Sequence, residues 1–427
     1  MPAVLDNPLE RQGNHGDLTA RYAAVRRFSE RLAAPLSAED QTVQSMPDVS
    51  PTKWHLAHTT WFFETFLLAR FVPSYRPFDP RFAYLFNSYY ESVGARHPRP
   101  QRGLISRPGV EEILAYRHHV DQAMEALVAR DGSSPDTSLH TLLRLGLNHE
   151  QQHQELILMD IKHVLSANPL RPAYQAPQPR TEGPVQSVTW TALSGGLVEI
   201  GHDGSGFAFD NEGPRHRVWL EPFSLASRLV TCGEFLAFMA DDGYRRPTLW
   251  LSEGWATVSA RGWTAPLYWE EVDGRWHIFT LAGLRPVAMD EPVCHVSFYE
   301  ASAFAKWAGK RLPTEAEWEH AATAVATHGH LADAGVLHPL PAPGGPGLQQ
   351  MIGDAWEWTA SPYVAYPRYR EPAGAIGEYN GKFMANQMVL RGGAAVTPAD
   401  HIRVTYRNFF PPDARWMFGG IRLAEDT

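Results

Sequence analysis

Apolar side chains recur at intervals of three and four over the first 165 residues, the spacing that lines one face of an α-helix. Leu18, Tyr22, Val25, Phe28 and Leu32 predict a helix over 17–32. A second opens at Ser50-Pro51, a capping residue followed by the imino acid suited to a first helical position. Its content (Trp54, Leu56, Ala57, Trp61, Phe62, Phe66, Leu67) is dense enough for burial on more than one side. Ile113, Leu114, Tyr116, Val120, Met124 and Leu127 predict a third helix over 109–130. Leu142, Leu145, Leu147, Leu156, Leu158, Met159 and Ile161 predict a fourth over 141–164. One long connection, between the second and third, suits a four-helix bundle.

The texture then changes. Residues 168–184 hold five prolines and few apolar residues, which predicts a linker lying over the surface. Beyond it, short β-like runs such as Gly196 to Ile200 and Arg217 to Leu220 are broken by Gly and Pro. Two helices interrupt them, each announced by a capping box: Ser297 with Glu300, closed by Gly309, and Thr314 with Glu317. The expectation is an α+β chain with a helical bundle over 1–167, a linker over 168–184 and a second domain over 185–427. A length of 427 residues also exceeds one ordinary core.

Composition narrows the function classes. Acidic side chains outnumber basic ones by 47 to 38, so no broad basic face is left for nucleic acid or an anionic membrane. The two cysteines, Cys232 and Cys294, are too few for a disulfide-stapled secreted scaffold and read as core residues. Residues 1–17 carry no apolar run like a secretory signal, and no uncharged stretch reaches the roughly 18 residues needed to span a bilayer. A soluble cytoplasmic protein is expected, of unstated oligomeric state. More telling are 19 His, 14 Trp and 15 Tyr, a supply of metal ligands and flat apolar surfaces.

The sharpest chemistry lies in Asn148-His149-Glu150-Gln151-Gln152-His153 on the fourth helix. Residues four apart sit one above the other, so His149 and His153 can share one ion, although two solvent-facing histidines are the bland alternative. Imidazole suits zinc, iron, copper and nickel alike. The same letters satisfy the His-Glu-x-x-His of zinc peptidases, with Glu150 as base, but Leu156 and Met159 occupy the next Gly and His positions of the longer pattern. For a third ligand the second helix offers His55 and His58 in Trp54-His55-Leu56-Ala57-His58, and His58 stands beside Trp61 and Phe62, where a lone imidazole would be costly to bury. His118 and His119 compete, but adjacent helical positions point about 100° apart. Three imidazoles leave coordination positions open, for water or thiol activation on zinc or for substrate and dioxygen on Fe(II).

These residues carry a resemblance covering nearly the whole chain. Leu56-Ala57-His58 and His149 to His153 resemble the metal-binding histidines of the DinB-like helical domain. Five segments resemble the formylglycine-generating-enzyme module, a variant of the C-type-lectin fold: Pro292 to Phe298, Gly309 to Trp318, Gly353 to Thr359, Val389 to Gly393 and Gly419 to Ala424. That module's paired cysteines near the C-terminal end are missing here between Ile402 and Leu423, so its copper or thiol chemistry is not expected. The combination is similar to the sulfoxide synthases of ergothioneine biosynthesis, non-haem Fe(II) enzymes that join a thiol sulfur to the imidazole of hercynine using O2. The implied architecture is a DinB-like four-helix bundle followed by a C-type-lectin-like domain.

The resemblance implies His58, His149 and His153 as iron ligands and Gln152 as the residue holding the hercynine imidazole. It implies that Asn408, Phe409 and Phe410 bound the hercynine pocket, where aromatic faces can stabilise a quaternary ammonium; a turn packed under Pro411-Pro412 is the alternative. Leu85 to Gly94 resembles the branch that accepts free cysteine, in which a tyrosine of this loop, here Tyr89 or Tyr90, is the active-site acid. Phe410 stands where the γ-glutamylcysteine branch has aspartate, which favours the smaller thiol. Arg96, Arg99 and Arg102 are candidates for the amino-acid carboxylate, or else a solvated basic loop. A selenosugar donor, giving selenoneine, stays open beside cysteine. So does a zinc-dependent thiol transferase of the DinB type.

Overall fold

The computed structural model describes residues 15–130, 137–178, 186–325 and 328–427. The chain divides into two compact units, Met1–Ala167 and Asn168–Thr427. Residues 179–184 of the expected linker lie outside the described residues, as do positions 1–14 of the stretch searched for a signal. The described start of that linker is tied to the second unit, where the Tyr174 N–H donates to the Leu281 carbonyl at 2.8 Å. Among the described residues no helix is long and apolar enough to cross a membrane.

The first unit is built on four helices: α1 (His15–Ala33), α2 (Thr52–Phe63), α3 (Val110–Arg130) and α4 (Thr137–Ala167). α2 packs against α1, α3 and α4 at once, and all of its residues are buried, as its dense apolar content predicts. Ser50 does not cap it. Pro51 holds the cap position, because Ser50 is engaged elsewhere: its N–H donates to Asp160 at 2.7 Å and its hydroxyl accepts from Arg102 at 2.9 Å. At its far end α2 runs into a π-helical turn, Glu64–Leu68, that the three-four spacing does not reveal. Gly146 lets α4 approach closely, since a Cβ there would lie 2.6 Å from the Phe63 ring.

The second unit is mostly short strands. Asn408–Phe410, Met388–Arg391 and Trp356–Pro362 pair antiparallel, and Gly419–Gly420 adds to the last in parallel. Phe223–Ala226 is flanked by Trp190–Leu193 and Ala424–Asp426, which joins the unit's early and final strands. Gly196–Ile200 pairs with His216–Leu220. Both capping boxes form as the sequence predicts, at Ser297 before the helix Phe298–Trp307 and at Thr314 before Glu315–Ala322. Buried charges are matched inside the unit: Arg422 meets Glu357, while Arg391 and Arg407 meet Glu315. Helical bundle first and mixed sheet second, the α+β architecture is the one expected.

Candidate metal centre

The facing surfaces of α2 and α4 bring the three histidines together. His58, His149 and His153 are buried, and each offers a ring nitrogen within 4.8 Å of the other two. His58 Nε2 and His149 Nε2 are 3.2 Å apart. Two nitrogens held at about 2.1 Å from one ion at right angles would be about 3 Å apart, so this spacing is that of neighbouring ligands. His58 Nδ1 donates to the Phe86 carbonyl at 2.6 Å, which leaves the Nε2 lone pair facing its partners. Trp54 and Trp61 both stack on His58, with centroids 4.7 and 5.5 Å away. Phe62 packs on His149 at 4.6 Å.

Burial drives all three rings toward neutrality. His149 is pushed down to about 3 by desolvation. His58 and His153 fall well below the usual imidazole range through desolvation, with the neighbouring histidines adding to it. Three neutral imidazoles converging in an apolar shell fit a divalent first-row metal ion, and no carboxylate belongs to the set.

Glu150 is not a base. Burial alone would raise its carboxyl, but Arg117 and Arg26 overcome that and hold it at about 2. Arg26 on α1, Arg117 on α3 and the Ser29 hydroxyl all donate to its oxygens. The peptidase-like spelling therefore describes a buried ion pair tying α4 to α1 and α3. His118 is exposed beside Gln122, and His119 lies against Tyr75 and Phe78.

The loop after α2 folds on Asn87, whose side chain donates to the Tyr90 and Gly94 carbonyls and accepts from the Tyr90 N–H. Tyr90 is fully buried among Phe66, Trp61 and Phe62, so it shares the aromatic shell of His58 and His149. Tyr89 is half-buried and stacks on Tyr90 at 4.7 Å. Arg96 pairs with Glu91 and donates to the Ser88 carbonyl, and Arg99 is exposed and donates to the Asp48 carbonyl. Arg102 is buried, 3.3 Å over the Trp54 ring. Gln152 is half-buried on α4. In the second unit, Phe409 stacks on Tyr363 at 4.0 Å and Phe410 packs on Trp416, both from a strand rather than a turn, while the Asn408 side chain accepts from the Phe409 N–H.

Behind the ligands lie His55, which the second helix offered beside His58 for the third ligand, and Asp160, which the sequence reading did not single out. His55 Nδ1 lies 2.8 Å from His153 Nδ1, and His55 Nε2 lies 3.0 Å from Asp160 Oδ2. Their signal was present as spacing: His55 is three residues before His58, and Asp160 is two helical turns after His153.

Residues 21–157 match the DinB superfamily, and residues 174–335 and 341–427 match the sulfatase-modifying factor enzyme 1-like domain. A hercynine oxygenase from Mycolicibacterium thermoresistibile is 32% identical over 411 residues, covering 89% of this chain and 88% of the relative. A formylglycine-generating enzyme from Streptomyces coelicolor is 30% identical over 282 residues, covering 55% of this chain and 88% of its own. Among solved structures, PvdO from Pseudomonas aeruginosa is 21% identical and covers 58% of this chain and all of its own, with a TM-score of 0.39.

Proposed function

The chain belongs to the hercynine oxygenase family, and from that premise we propose a cytoplasmic non-haem Fe(II) enzyme that uses O2 to join the sulfur of cysteine to hercynine as a sulfoxide. The observation that carries this reading is the buried trio of neutral imidazoles, His58, His149 and His153, with no carboxylate among them. Fe(II) held there would supply the activation of dioxygen. The chain's own residues do the rest. Gln152, one position before His153, holds the hercynine imidazole by its amide, and Asn408, Phe409 and Phe410 contact hercynine; family resemblance supports these assignments.

Tyr90 is favoured over Tyr89 as the proton donor. It packs on Trp61 and Phe62, the rings that touch His58 and His149, whereas Tyr89 stacks on Tyr90 itself. A phenol O–H can donate a proton without carrying a charge beforehand. Of the three arginines, Arg102 is favoured for the donor's carboxylate. Arg96 is committed to Glu91 and Ser88 and Arg99 lies exposed, while Arg102 is a buried guanidinium that ion-pairs with no carboxylate among the described residues. A selenosugar in place of cysteine would use the same ligands and give selenoneine. Residues 168–184 serve as linker between bundle and C-terminal domain.

The test is incubation of anaerobically purified, Fe(II)-loaded protein with hercynine plus either cysteine or a selenosugar, reading products by mass spectrometry and oxygen by electrode. Coupled product with matching oxygen uptake is expected. Full activity on zinc without oxygen consumption would overturn the reading. Tyr90→Phe is expected to retain metal and fold while shifting product from the sulfoxide toward oxidised thiol; a wild-type product ratio counts against the assigned acid.

A further inference from the structure

We infer that His55 and Asp160 are positioning residues for the ligand His153, fixing its tautomer and adding negative charge behind it. This rests on the reading of the three histidines as a metal centre. The geometry is a linear chain. The Ser50 N–H donates to Asp160 Oδ2 at 2.7 Å, His55 Nε2 meets the same oxygen at 3.0 Å, and His55 Nδ1 meets His153 Nδ1 at 2.8 Å. All three side chains are buried.

The proton positions follow from what each group can do. A carboxylate only accepts, so His55 carries its hydrogen on Nε2. A neutral His55 then has only a lone pair on Nδ1, so the hydrogen between the rings belongs to His153 Nδ1. That leaves the lone pair of His153 on Nε2, where a metal ion would be bound. A ligand imidazole whose second nitrogen leads to a carboxylate is oriented and made more basic.

A second observation points the same way. Asp160 is buried, yet among the described residues no lysine or arginine forms an ion pair with it. A buried carboxylate that no cation touches is costly to keep; the Arg102 guanidinium acts on Asp160 only from beyond ion-pair reach, and a bound divalent ion beyond two imidazoles would add positive charge. The ligands are thereby unequal. His58 is backed by a neutral carbonyl, Phe86, whereas His153 is backed by a charged group through His55.

Co(II) titration of the full chain tests this, followed by visible absorption and by competition with a chelator, with far-UV circular dichroism confirming the fold. Wild type is expected to bind and His149→Ala to lose binding. His55→Leu and Asp160→Asn should weaken Co(II) by about 10- to 100-fold and shift the visible bands. His55→Gln should recover part of the affinity, because its amide oxygen can accept the His153 Nδ1–H. Wild-type affinity and spectrum in folded His55→Leu and Asp160→Asn would overturn the inference while leaving the metal centre standing. Equal weakening by Gln and Leu at 55 would also overturn it, as a packing effect. Absence of binding by wild type would sink the metal centre itself, and the inference with it. If His55→Leu fails to fold, Asp160→Asn, nearly isosteric, decides alone.

Discussion

Glu150 stands between two ligands in sequence and carries a full charge with no exposure, because two guanidiniums and a hydroxyl meet its oxygens. Removing that charge strands Arg26 and Arg117 in the interior. Glu150→Gln is therefore expected to cost about 3–5 kcal/mol, read as a lowered urea midpoint, since breaking a buried pair leaves an uncompensated ion. The same residues set the response to acid. With Glu150 near 2 in the folded chain and near 4.5 unfolded, its contribution is present above 4.5 and lost as pH falls toward 2. His149 acts in a higher window. Its folded value near 3 lies below the unfolded 6.5, so the unfolded chain gains the proton first and stability falls as pH drops from 6.5. Metal-free protein should lose Tm progressively below pH 6.5, and His149→Ala should flatten the upper part of that decline. An unchanged slope would refute the assignment.

Helices α2 and α4 act as a pair, and their closeness depends on the missing side chain at 146. Gly146→Ala would force a Cβ to within 2.6 Å of the Phe63 ring, one turn before His149. The expected result is a loss of about 1–3 kcal/mol from overpacking, accompanied by weaker metal binding as α4 shifts; equal Co(II) affinity would show that the helices adjust independently of the ligands. What was legible at this scale was local. The i, i+4 histidines, the three-four apolar spacing and both capping boxes are relations within one helix, and they are visible in the letters. The cap at Ser50 was misread because its groups bond Asp160 and Arg102, 110 and 52 residues away. The His55–Asp160 link spans 105 residues and the Glu150 pairs reach across the bundle, so only packing discloses them.

Among the described residues most buried carboxylates are matched by arginine, with Glu315, Glu357 and Glu212 in the second unit as further cases. Asp354, like Asp160, is not among them. Desolvation pushes it up to about 7 despite the N–H that Leu340 donates to it. The folded state then holds a proton between the ordinary carboxyl range and pH 7, so stability declines as pH rises through that window. Asp354→Asn, at a position with φ of 56° that asparagine tolerates, should raise Tm at pH 8 by the equivalent of about 1–2 kcal/mol and change little at pH 4. The reverse ordering would show that the carboxylate finds a partner on ionising. The five family-like segments were readable because each is a contiguous run, whereas the buried ion pairs of this unit join segments far apart.

The two indoles stacked on His58, at 11° and 17° to its plane, give the site an optical gauge of occupancy of its own. A paramagnetic ion captured by that imidazole would quench the emission of Trp54 and Trp61 over van der Waals distances. Loading could then be followed in real time from intrinsic ultraviolet fluorescence, without dye or chromogenic substrate, and the responsive fraction should vanish in a Trp54→Phe, Trp61→Phe double variant.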